Sequence, residues 1–225
     1  MKKNALSLSS SLYRVIAHAG VIASLTAIRV QGQVPSPGDT SIIDPAARLE
    51  VLFEGQFRTE GPSVGFDGTI YFVDLDMARG GSIWRYDPRT KQASVLRYPS
   101  GLAAGSATDP KGNLLTAELA SGGGRRITLT EIETGRTSLV ADRYDGKPLH
   151  GVNDLVLDAT GRIYFTEYAL LGPGDVLYRR GSGIYRIDPG GILRRIIDDA
   201  GVPNGIAVSP DQHTLSMWGQ TGLMS

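Results

Sequence analysis

The chain has no cysteine, which excludes disulfides and any thiolate zinc centre. Histidine is almost as scarce. His18, His150 and His213 are the whole supply, and the first falls in an N-terminal leader, so a histidine-rich metal site has little to draw on. An excess of one charge is also missing. There are 23 basic and 23 acidic residues and no long run of either sign, which argues against nucleic acid or anionic membrane as a partner. No acid occurs before Asp39, and the apolar-leaning stretch at residues 15–28 falls short of the ~20 residues that span a bilayer. After it, no amphipathic helical period competes with strand patterning.

What is present begins with that leader. Lys2 and Lys3 precede the apolar stretch, so residues 1–32 resemble a secretory signal, interrupted by Arg14 and His18, with cleavage near residues 31–33. This predicts a periplasmic or secreted protein. A Ser-rich, acid-poor mitochondrial-type presequence is the rival reading. The QVPSPGDTS stretch makes residues 33–46 a linker, and residues 47–225 are long enough to bury a full core.

Within them a unit repeats. Glu60-GPSVGFDG, Ala104-GSATDPKG, Asn153-DLVLDATG and Asn204-GIAVSPDQ share one frame. Each ends in a tight-turn slot, at Gly68, Gly112, Gly161 and Gln212, at intervals of roughly 50 residues, the period of propeller blades or arrays. A β-rich run follows each slot: TIYFVDL, NLLTAEL, RIYFTEY and HTLSMW. Four strands per unit, joined by hairpin turns and supplied by 29 glycines, predict an all-β fold, a β-propeller of which about three and a third blades are present. A β-sandwich would accept similar strands but does not explain the recurrence. Residues of one phase in a radial repeat converge on its axis, so Glu60, Asn153 and Asn204 point to a site. Taken singly, an Asn before Asp or Gly reads as a turn residue.

The phrases FRTEGPSV (57–64), ADRYDGKPLHGVNDLVLDATGRIYFTEY (141–168) and GVPNGIAVSPDQHTL (201–215) resemble the senescence-marker-protein (regucalcin), gluconolactonase and luciferin-regenerating-enzyme family of six-bladed propellers. The resemblance covers nearly all of residues 50–215. It implies a divalent cation in the central channel, usually calcium, with zinc, magnesium or manganese as alternatives. Glu60 and Asn204 would be its ligands, and Asn153 a further ligand or substrate contact. It implies hydrolysis of sugar lactones or related cyclic esters, with a small lactone or sugar-acid-type molecule as partner. The family's further acid, a metal ligand and general base, comes from a P-D-G-like motif in a later blade and would lie beyond residue 225. The basic residue that some animal members carry two before the N-D asparagine is Gly151 here. Where the family continues after T-L with an apolar strand, this chain reads SMWGQTGLMS, so the resemblance implies an incomplete copy with impaired activity. A non-catalytic binding propeller and a non-functional fragment are the alternatives.

The ligand set is chemically sensible. Calcium takes six to eight oxygens from carboxylates, amide carbonyls and water, and a bound cation polarises a lactone carbonyl and acidifies bound water. Glu118, Glu167 and His150 are further substrate-side candidates; exposed strand ends for the two acids and a loop place for the histidine are the plainer alternatives. Three motifs are set aside. Gly61-Pro-Ser63-Val-Gly65 matches a nucleophile elbow, but a strand rather than a helix should follow Ser63. Asp74-Leu-Asp76 lacks the remainder of a calcium loop. SGGGRR at 121–126 lacks the helix of a phosphate cradle.

Overall fold

Runs such as IYFVD and IYFTE alternate large apolar groups between two faces, and β-branched and aromatic side chains fit a pleated surface. The computed structural model accordingly contains only strands and turns among its described residues, which are 44, 46–54, 58–120, 122–169, 172, 175–179 and 181–220. The leader expected over residues 1–32 lies outside them, as does the linker except for Asp44 and Ala46. No helix among the described residues is long and apolar enough to cross a membrane. The chain divides into two compact units, Met1–Glu50 and Val51–Ser225. In the first, Asp44 closes a turn by accepting from the Ala46 N–H at 2.7 Å.

The second unit is a propeller-type array. Strands β1 (Thr59–Val64), β2 (Ile70–Asp74), β3 (Ser82–Asp87) and β4 (Gln92–Arg97) form one antiparallel sheet in chain order. A second contains β5 (Ala103–Thr108), β6 (Leu114–Glu118), β7 (Arg126–Thr130) and β8 (Thr137–Ala141). A short hairpin of β9 (Arg143–Tyr144) and β10 (Lys147–Pro148) follows, turning through Asp145 and Gly146, both at positive φ. The third sheet is β11 (Val152–Leu157), β12 (Ile163–Glu167), β13 (Gly183–Ile187) and β14 (Leu193–Ile197), and β15 (Val202–Val208) pairs with β16 (Leu215–Gln220). Among the described residues there are thus three four-stranded sheets and two two-stranded ones, the β9–β10 hairpin and the β15–β16 pair, against an expectation of about three and a third blades.

All four turn slots have left-handed backbone, with φ of 82°, 84°, 80° and 64° at Gly68, Gly112, Gly161 and Gln212. Glycine adopts this conformation without a Cβ clash, which is why it fills three of the four. Gln212 is compensated by its side chain, which accepts from the Ala159 N–H at 2.8 Å and so reaches the neighbouring unit's turn.

The core lies between sheets rather than within one. Tyr71, Val73 and Ile83 of the first sheet meet Ala103 and Leu114 of the second. Leu115, Ala117 and Ile127 meet Val152, Leu155, Phe165 and Tyr185 of the third, with Phe165 and Tyr185 stacked at 5.1 Å. Ile184 of the third meets Ile206 of β15.

An acid closes the second strand of each four-stranded sheet: Asp74, Glu118 and Glu167 stand at equivalent register, opposite Thr59, Ala103 and Val152. Glu118 has no exposure. It accepts from Arg97 and Arg126, each at 2.7 Å, and from the Thr128 hydroxyl at 2.9 Å. Glu167 is equally enclosed, accepting from the His150 N–H at 2.7 Å, Tyr185 Oη at 2.6 Å and Arg179 at 2.5 Å. Neither acid is the exposed strand end that the sequence suggests. A buried carboxylate needs charge-assisted partners, and the sheets supply them from separate strands.

Candidate functional site

The first strands of the four repeats, β1, β5, β11 and β15, pack side by side in that order. Each breaks its ladder with its second strand at the same place. The register shifts between Glu60 and Ser63, Ala103 and Gly105, Val152 and Leu155, and Pro203 and Ile206. A bulge adds a residue, bends the strand and re-aims the side chains within it. Glu60 borders the first break, while Ala104, Asn153 and Asn204 lie inside the others. The shared phase of these residues in sequence is therefore a shared irregularity in space.

Neighbouring bulges are tied together. Ser106 donates to the Gly61 carbonyl at 2.6 Å, and Ser63 reaches the Ser106 hydroxyl at 2.8 Å. Ser106 has a single proton and spends it on Gly61, so Ser63 is the donor of that pair. Ser63 lies within β1 and is followed by β2, so no nucleophile elbow forms. Toward β15, the Thr166 hydroxyl of β12 donates to the Asn204 carbonyl at 2.7 Å, and Asp154 Oδ2 of β11 accepts from the Ile206 N–H at 3.0 Å.

The predicted residues differ in surroundings. Glu60 is half exposed, with Oε1 3.6 Å from Arg58 Nε. Asn153 is buried, and its Nδ2 lies 3.4 Å from the Tyr168 hydroxyl. Asn204 is exposed. Tyr168 rests against the apolar cluster of Leu75, Leu102, Ala104 and Leu119, giving the site an apolar wall with a phenol at its edge. Burial raises the Tyr168 pKa above the usual phenol value, with the negative charge of Glu60 adding to it. The phenol therefore remains a donor at neutral pH. Burial also raises the Asp154 carboxyl, opposed by the N–H groups of Ile206 and Leu155, and Glu60 again pushes upward. Glu60 is thus within electrostatic reach of the two residues that flank Asn153.

His150 is fully buried in the loop before β11. Its Nε2 accepts from the Tyr178 N–H at 2.9 Å, while Nδ1 stands 3.6 Å from Glu167. Burial lowers its pKa, with Glu167 pulling the other way. This geometry turns the ring toward the loop at Tyr178. Gly151 meets Ala120 so closely that a Cβ there would lie 2.9 Å from the Ala120 nitrogen; backbone packing enforces glycine at this position.

Among the described residues, no three His, Cys, Asp or Glu side chains gather to hold a metal. The three residues expected as ligands, Glu60, Asn153 and Asn204, carry one carboxylate and two neutral amides. That set suits a hard, oxygen-seeking cation such as calcium and lacks the nitrogen or sulfur that zinc prefers.

Sequence reasoning missed Asp154, Thr166 and Tyr168. A signal for Asp154 was present: the position after each polar slot is Gly61, Gly105 and Gly205 in the other three repeats and aspartate only in the third.

A family profile described as the SMP-30/gluconolactonase/LRE-like region matches residues 58–219. A gluconolactonase of Zymomonas mobilis subsp. mobilis is 30% identical over 194 residues, covering 80% of this chain and 54% of the relative. The solved structure of a gluconolactonase from Xanthomonas campestris superposes with a TM-score of 0.68 at 28% identity, covering 77% of this chain and 57% of that one. A calcium-binding regucalcin from Agrobacterium tumefaciens shares the fold, with a TM-score of 0.57 at 20% identity, covering 75% and 53%. The chain spans somewhat over half the length of these proteins.

Proposed function

The chain belongs to the SMP-30/gluconolactonase/LRE-like family, and on that premise we propose that its bulged inner strands build a cation-assisted centre for hydrolysis of sugar lactones. The observation that carries this reading is the recurrence of one bulge at the polar slot of all four inner strands. Glu60, Asn153 and Asn204 would hold the ion, calcium by the chemistry of the donors. Bound there, it would supply Lewis-acid polarisation of the ester carbonyl and a more acidic water. The residues of the chain do the rest. Tyr168 offers a hydroxyl donor beside Asn153, and the apolar wall under it keeps water from one side of a ring-shaped substrate. Relatives named as gluconolactonases support a small cyclic ester as the substrate class. The leader composition supports export.

The test is cation-dependent opening of glucono-δ-lactone, followed by acid release at constant pH. With Glu60→Gln we expect a loss of 100-fold or more, since the change removes the carboxylate of the donor set. Ser63→Ala stays within about threefold of the parent, because Ser106 still donates to the Gly61 carbonyl without it. A collapse of activity in folded Ser63→Ala, with Glu60→Gln unaffected, would replace this reading with a serine nucleophile.

A further inference from the structure

Asp154 lies where the other three repeats have glycine, and its surroundings show why. A Cβ on Gly105 would fall 2.4 Å from Asp154 Oδ1, and one on Gly205 would come 3.8 Å from Oδ2. The carboxylate therefore sits in a niche left open by the backbones on either side. Its two oxygens are engaged: Oδ1 accepts from the Leu155 N–H at 2.9 Å and Oδ2 from the Ile206 N–H at 3.0 Å. Thr166, without exposure, accepts from the Asp154 N–H at 3.1 Å and donates to the Asn204 carbonyl at 2.7 Å. Asn204 C=O and Ile206 N–H belong to the two peptide groups on either side of Gly205 inside the β15 bulge, so these two bonds fix the backbone that leads away from the Asn204 side chain.

We infer that Asp154 and Thr166 form a positioning couple that sets the Asn204 amide against Asn153 across the β11–β15 boundary. The inference rests on the proposed cation site and assigns the residues that assemble it. Asp154 acts through the backbone of β15, not on substrate. Two backbone N–H groups held by the two oxygens of one side chain tie β11 to a strand turned out of its ladder. Thr166 supplies the second point that stops the bulge from pivoting.

The experiment uses the full chain as wild type, Asp154→Asn, Thr166→Val, Thr166→Ser and Asn204→Ala. It reads calcium affinity by calorimetry, the Asn204 side-chain amide and Ile206 amide exchange by NMR, and folding by thermal melting. Asp154→Asn and Thr166→Val should melt cooperatively, bind calcium about 10- to 100-fold more weakly and shift the Asn204 side-chain signal. Ile206 protection should fall in Asp154→Asn, and Thr166→Ser should restore affinity to within about twofold. If Asp154→Asn does not fold, the Thr166 pair decides the question. An unmoved Asn204 signal in folded Asp154→Asn and Thr166→Val overturns the inference whatever the metal does. Wild-type affinity in those variants, with weak binding in Asn204→Ala, overturns it as well. If the wild type takes up no calcium while the Asn204 and Ile206 signals respond, the positioning stands and the cation reading alone fails.

Discussion

Gln212 shows two residue-level effects in opposition. Its left-handed backbone costs a non-glycine residue about 1 kcal/mol, and its bond to the Ala159 N–H returns a similar amount. Gln212→Ala keeps the strain and loses the bond, so denaturant titration should show about 1 kcal/mol of destabilisation. Gln212→Gly loses both and should fall within about 0.5 kcal/mol of the parent. Asp158 makes a prediction in pH. Burial would raise its pKa, but hydrogen bonds from Thr160 and Arg162 overcome that and bring it down to about 2. A carboxyl depressed in the fold stabilises at pH above its ordinary value, and that stability is lost as pH falls toward the folded value. Between pH 4 and 2 the chain should therefore lose on the order of 2 kcal/mol through this group. Asp158→Asn should flatten that part of a stability-versus-pH curve. The turn slots around these residues were legible in the sequence because glycine marks left-handed backbone. Asp154 was legible by phase, yet Asn-Asp also reads as a turn, and that local meaning concealed the regional one.

At the scale of elements, what the sequence withheld is pairing between strands. Glu118 and Glu167 look like strand-end acids because their partners sit on other strands or connections, 8 to 21 residues away. Arg97 comes from β4 of the preceding sheet and Arg126 from β7, while Arg179 follows a long connection. Hairpin register brings Arg126 opposite Glu118, but Arg97 and Arg179 lie outside any such register. Glu118→Gln should cost about 3–5 kcal/mol, since it leaves buried Arg97 without its counter-charge, and should lower the melting temperature by about 10 °C. Glu131→Gln breaks an exposed pair with Arg136 and should leave melting unchanged; equal effects in the two variants would refute the clamp. The β9–β10 hairpin was also unforeseen. TSLVADRY reads as one strand, but β8 ends at Ala141 and the chain breaks at Asp142 before β9 begins at Arg143.

At the largest scale, the described strands of the Val51–Ser225 unit form a series of nearest-neighbour interfaces, each sealed by its own apolar cluster. Its strand order follows chain order throughout, which is why repeat period and hairpin signals sufficed to foresee the architecture. The shared bulge at the candidate site was marked for the same reason, as one phase of the repeat. The supports of that site were not, because they cross from one repeat to the next. Stability in such arrays is close to a sum of unit and interface terms, so damage to one boundary stays local by default.

The side-by-side bulges have a consequence for that locality. Glu60 and Asn204 belong to the first and last of the four repeats, and residues between them reach the site only if all three boundaries have formed. Any molecule held by both residues therefore selects the fully assembled chain over every partly frayed state, and its binding energy is shared by all three boundaries at once. Repeats that could otherwise open independently are thereby made to open as one. Occupancy of the site would act as long-range cooperativity that the strands alone do not possess, and opening of any one boundary would be felt as escape of the ligand.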